Sequence, residues 1–120
     1  MSKLPFKGNI ETLTIQNKNY RKVLYTVPGK IQLVLMTLKP GENIGTEVHP
    51  RTAQFIRVES GTGQAIIGRR KYRLKDGIAV IVPPGRRHNI INTSTTKPLT
   101  LYTLYSPPEH KSGTVEKVKK

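Results

Sequence analysis

Short runs of alternating apolar and polar residues, each closed by glycine or proline, set the first expectation for this chain. Residues 10–15 (Ile-Glu-Thr-Leu-Thr-Ile) read as an opening strand, broken by the polar turn at 16–19. Residues 20–27 form a second, stopped at Pro28-Gly29, and 31–38 are almost wholly aliphatic, as in a strand covered on both faces. After Pro40-Gly41 comes a segment carrying Glu47 and His49, which on a strand would face the same way. Residues 54–59 alternate, with Gln54, Ile56 and Val58 on one face. A tight turn at 60–63 returns the chain antiparallel through 64–67 to a hairpin tip at 68–71, and Tyr72-Arg73-Leu74 runs outward again. The buried-looking run 78–82, the segment 88–93 and the aromatic run 99–105 complete the series. No stretch sustains a helical period, and turn residues recur every ~8–12 positions, as in β-sandwiches and barrels.

Composition narrows the class. At 120 residues the chain fits one domain, with 35% hydrophobic and 23% charged residues marking a globular protein. We therefore expect a single domain over 1–120: an N-terminal strand and turn at 1–20, the chemistry-bearing stretch at 41–92, and a polar, basic, irregular tail at 107–120. Cysteine is absent, which removes disulfides, thiolate metal sites and cysteine nucleophiles. No apolar run is long enough for a transmembrane helix, and the first residues lack the apolar core of a signal peptide, so a soluble cytoplasmic protein without membrane partners is the expectation.

The charge changes the picture in one respect. Lys and Arg total 21 against 7 acids, a net +14, which attracts polyanions and small anions at long range. The basic residues are scattered; Arg69-Arg70-Lys71 and the Lys117–Lys120 end are the tight clusters, and neither matches a nucleic-acid motif. A solvated basic surface is the plainer reading, with nucleic-acid association as the alternative.

Candidate chemistry concentrates between Gly41 and Asn92. Gly41, Glu47, Val48, His49, Gln54 and Gly61 are followed by Gly77, Pro83, Gly85, His88 and Asn92. These two sets resemble the paired motifs of the cupins, the second at every position and the first with substitutions. Glu47 stands where that family has its first histidine, and Gln54 where it has its glutamate. The resemblance implies an all-β, single-domain double-stranded β-helix, or jelly-roll barrel. It also implies one divalent metal ion held by Glu47, His49, Gln54 and His88. Because the carboxylate has moved from one ligand position to another, the formal ligand charge is unchanged. Two histidines and a carboxylate with open positions suit Fe(II), and Mn, Ni, Co or Zn also fit.

Other residues are assigned by position. Arg51, Arg86 and Arg87 flank the histidines and would favour an anionic ligand. Among Tyr72, Tyr102 and Tyr105, one could line the cavity, and Tyr102 is taken as a substrate-binding candidate. Glu47 is a candidate general base should it leave the metal. Gln54 has an alternative role in fixing the His49 ring, Asn92 reads as a cap for backbone groups, and His110 as a tail residue outside the site. The expected function is metal-dependent action on a small, anionic organic molecule, of dioxygenase or isomerase/epimerase type. The rivals are a non-catalytic metal or small-ligand binding module and a basic nucleic-acid-associated barrel. Apolar outer strands suggest a homodimer.

Overall fold

The computed structural model describes residues 4–120. One short helix, α1 (Ile10–Gln16), precedes nine strands: β1 (Arg21–Val27), β2 (Ile31–Leu38), β3 (Ala53–Ser60), β4 (Gly63–Ile67), β5 (Arg70–Leu74), β6 (Ala79–Val82), β7 (His88–Asn92), β8 (Leu99–Ser106) and β9 (Val115–Glu116). They form a six-stranded sheet in the order β6-β3-β8-β2-β1-β9 and a three-stranded sheet in the order β5-β4-β7, every pair antiparallel. Their inner faces enclose one core that includes Val34, Met36, Leu38, Ile56, Val58, Ala65, Leu74, Ile90 and Leu101.

Residues 10–15 are helix, not strand. The Asn9 side chain accepts a hydrogen bond from the Thr12 N–H and caps the first turn. The face turned to the protein is Ile10, Leu13, Thr14 and Asn17, spaced i, i+3, i+4, i+7, while Ile15 is exposed. Half of that face is polar, so hydropathy alone does not reveal it. Asn17 and Thr37 exchange hydrogen bonds that fasten the helix end to β2. Leu35, on the outward side of β2, is buried in the region where α1 packs.

Three other expectations change. β4 does not return beside β3; it crosses to the second sheet, between β5 and β7. Gly61 and Gly63 permit the crossing: a Cβ on Gly63 would sit 2.6 Å from the Ile91 carbonyl, and one on Gly61 2.6 Å from that of Pro98. The run 78–82 is an edge strand paired with β3 alone, so Ile81 is 65% exposed. The tail is packed rather than loose: β9 pairs with β1, and Arg21 meets Glu116 at 2.5 Å.

The register explains where polarity collects. One row across the inner face of the large sheet reads Val82, Gln54, Tyr105, Gln32, Thr26. The next row inward, Val80, Ile56, Thr103, Val34, Val23, is mostly apolar. One end of the barrel is therefore lined with hydrogen-bonding groups above an apolar floor. On the opposite face Ile81, Phe55, Leu104, Leu33 and Tyr25 make a corresponding apolar row.

Candidate metal centre

Glu47 and His49 lie in an irregular extended segment, not a regular strand. Gly45, at φ 86°, interrupts it, and isolated bridges from Asn43 to Ile91 and from Glu47 to His88 tie it to the free edge of β7. Their two-residue spacing still turns Glu47 and His49 toward the same place. His88 opens β7 after the Pro83-Pro84-Gly85 turn, and the Gly85 N–H donates to the His49 carbonyl at 2.8 Å, joining the two loops. Glu47, His49 and His88 each bring one ligand atom within 4.8 Å of the others.

Each imidazole has its Nδ1 near an oxygen and its Nε2 without a hydrogen-bond partner among the described residues. His88 Nδ1 lies 3.0 Å from the Arg86 carbonyl, an acceptor, so this nitrogen carries the proton. His49 Nδ1 lies 3.4 Å from a carboxylate oxygen of Glu109. The Nε2 atoms of both rings are buried and meet no hydrogen-bond partner among the described residues. His49 Nε2 stands 3.7 Å from Glu47 Oε1. Buried polar atoms are ordinarily satisfied, and two unpartnered ring nitrogens near a carboxylate make a cluster that could hold a cation. The donor set and its spread fit a divalent ion, whose bonds to nitrogen and oxygen of ~2.0–2.2 Å bring ligand atoms 3–4 Å apart.

Gln54, 2% exposed at the start of β3, occupies the polar row beside Tyr105. Its amide nitrogen donates to Thr103 Oγ1 at 3.0 Å, which turns Oε1 the other way, and that oxygen is buried without a partner. The remaining candidates are placed differently. Arg51, Arg86 and Arg87 are exposed; Arg87 borders a small surface pocket that reaches His88, together with Thr46, Ile66, Gly68 and Asn89. Tyr102 is on the outer face of β8, its ring 6.1 Å from Phe55, and is not brought to the site. Strand alternation puts Tyr105 inside instead, its ring edge-on to His49 at 5.7 Å. Burial pushes the Tyr105 phenol well above its ordinary range, so it stays protonated at neutral pH.

Sequence reading missed the strap that follows β8. His110, assigned to a loose tail, packs its ring on Tyr105 at 5.1 Å, and its Nε2 is buried and unpartnered. Burial, then the charge of Arg21, holds the His110 imidazole down at about 4. One signal was available: Gln32 is the lone amide in an otherwise aliphatic run, and it is the residue that grips the strap. Asn92 does cap backbone groups, donating to the carbonyls of Leu38 and Lys97 and accepting from the Ser94 N–H.

A double-stranded β-helix with histidine and carboxylate side chains gathered at one end defines the class. The Cupin domain family model matches residues 34–105, and the chain belongs to that family. It is 45% identical to YrkC of Bacillus subtilis (strain 168) over 96% of its own length and 64% of that protein's. It is 44% identical to L612 of Acanthamoeba polyphaga mimivirus, over 90% of its length and 69% of L612. The chain thus spans about two thirds of the curated relatives it matches. The crystal structure of BH2720 from Bacillus halodurans superposes with a TM-score of 0.90 at 40% identity, covering 95% of this chain and 89% of that one. No helix among the described residues is long and apolar enough to cross a membrane.

Proposed function

We propose that this cupin binds one divalent metal ion through Glu47, His49 and His88, with Gln54 as a weaker oxygen donor, and acts on a small anionic organic molecule. The observation that carries the reading is the cluster of Glu47, His49 and His88, with the Nε2 atoms of both rings buried and without a hydrogen-bond partner among the described residues. Bound there, a divalent ion supplies Lewis acidity toward a ligand oxygen, and two histidines with one carboxylate leave positions open for it. Dioxygenation with iron, or isomerisation or epimerisation with manganese, zinc, nickel or cobalt, are the reaction classes this donor set suits.

The chain's own groups divide the remaining work. The Glu47 side chain keeps 31% of its surface exposed, so, were it to leave the metal, it is the carboxylate of the triad that would take a proton from an arriving molecule. Tyr105, held protonated, serves as a wall that orients His49 rather than as a base. The exposed Arg51, Arg86 and Arg87, within a net charge of +14, draw anions to this end of the barrel.

A second reading is a non-catalytic binding module, and two other pockets of the protein lie away from the triad. One lies at the far end of β3, lined by Ser60, Gly61, Asp76 and Lys97, and another beside α1; neither includes the triad. Elemental analysis of tag-free, chelator-free protein with His49→Ala and His88→Ala variants tests the metal. Stoichiometric metal in the parent and its loss in both variants is the expected result. A parent that takes up no metal after reloading overturns the reading. Turnover of small acids by the loaded protein then separates enzyme from binding module.

A further inference from the structure

The ring of His49 lies between two carboxylates. Glu47 faces its Nε2 at 3.7 Å and Glu109 its Nδ1 at 3.4 Å. Glu109 comes from neither motif; it arrives on the strap after β8. Its side chain is only 27% exposed although it belongs to a polar tail.

What delivers it is Gln32, fully buried at the start of β2. Gln32 Oε1 accepts from the Glu109 N–H at 3.3 Å and the His110 N–H at 3.0 Å. Its amide nitrogen donates to the His110 carbonyl at 2.7 Å and to Thr26 Oγ1 at 3.0 Å. Those four bonds use the full capacity of the amide, two acceptor positions and two donors. Thr52 Oγ1, donating to the Pro107 carbonyl at 3.1 Å, and Ser106 Oγ, donating to the Lys30 carbonyl at 2.8 Å, hold the strap upstream. The backbone of residue 109 is thereby fixed on the His49 side of the barrel, with its carboxylate 3.4 Å from Nδ1.

We propose that Glu109 is the positioning residue for His49. By accepting the Nδ1 proton it fixes the tautomer and the ring plane that present Nε2 to Glu47 and His88. The Arg86 carbonyl does the same for His88, so the two imidazoles are oriented by different devices: one a neighbouring main chain, the other a carboxylate clamped from across the barrel. Only the second adds negative charge. This inference rests on the metal reading for its consequence, since orienting carboxylates commonly contribute 10–100-fold to metal affinity. The orientation itself exists without metal.

The test therefore has two arms. Long-range proton–nitrogen correlation spectra of 15N-histidine-labelled, metal-free protein report the His49 tautomer. The Nδ1–H form is expected in the parent, a mixture of tautomers in Glu109→Ala and in Gln32→Ala, and partial restoration in Glu109→Gln, which keeps an acceptor. Titration with Co2+ alone, followed by its visible absorption, is expected to show affinity ~10–100-fold weaker in Glu109→Ala, with a smaller loss in Glu109→Gln. Glu11→Ala, on the exposed side of α1, controls for net charge and leaves both readouts unchanged. Thermal melting separates unfolding from reorientation; should Gln32→Ala unfold, the two Glu109 variants still decide. An unchanged tautomer in Glu109→Ala, or Co2+ affinity equal to that of a binding parent, overturns the proposal. A parent that binds no Co2+ overturns the metal reading instead, and the spectra alone then judge Glu109.

Discussion

Glu47 and His88 exchange both of their backbone hydrogen bonds, at 2.8 and 2.9 Å, so two of the candidate ligands are paired through their own main chains. The side chains can be altered while the pairing that positions them persists.

Glu47→Ala follows from that pairing. It removes the one carboxylate of the triad, so stoichiometric metal is expected to be lost. Stability of the metal-free protein is expected to move by no more than about 0.5 kcal/mol, because the side chain is part-exposed and the bridge is backbone. Metal analysis and urea unfolding of the same preparation check both halves.

Gln54→Glu tests the fourth donor. Its Oε1 is buried without a partner, and on the proposed reading, in which Gln54 is the weaker donor to the metal, a carboxylate there adds charge to the ligand set. Divalent-metal affinity is expected to rise by about tenfold. The metal-free protein is expected to lose stability at neutral pH, since a buried carboxylate lacks a compensating cation. Unchanged affinity by chelator competition would show that Gln54 faces elsewhere.

His110 predicts a pH dependence of folding. Burial and then Arg21 and His49 depress its imidazole to about 4 from 6.5, against the opposing pull of Glu109 and Glu116. Between those values the unfolded chain binds a proton that the folded protein refuses. The contribution to stability is therefore complete above about pH 6.5 and is lost as pH falls toward 4. His110→Phe, which keeps a ring against Tyr105, is expected to flatten this part of the profile in urea melts taken across that window.

Gly63→Ala is expected to destabilise the fold by about 1–3 kcal/mol. The new methyl would meet the Ile91 carbonyl at 2.6 Å and Leu99 Cδ2 at 2.9 Å, and the first of these is backbone that cannot swing aside. Because Ile91 shares β7 with His88, metal affinity is expected to fall in the same variant.

The barrel was legible in the sequence because its strands announce themselves by alternation. Gln54, Ile56 and Val58 do share the inner face, and the glycine–proline punctuation falls at real turns. The resemblance of the stretch from Gly77 to Asn92 to a cupin motif singled out His88, which opens β7 after the Pro83-Pro84-Gly85 turn. Helix α1 was hidden because Thr14 and Asn17 hold half of its buried face. Tyr102 and Tyr105 differ only in parity along β8, and the strand's phase, not its composition, decides which one looks inward. Glu109 was out of reach for a different reason: its partner is set by Gln32, across the barrel, and no local pattern encodes a contact between such distant segments.

The clamp at Gln32 also bears on how the molecule assembles. Residues 32 with 109–110 and 21 with 116 must meet before the wall beside His49 is complete. Such pairings join segments near both ends of the described chain, and topologies dominated by them fold in about milliseconds to seconds rather than microseconds. The environment of His49 is therefore expected to be completed only when these long-range pairings form. On the reading proposed above, acquisition of a cation is then expected to report closure of the two ends of the chain rather than pairing of its central strands.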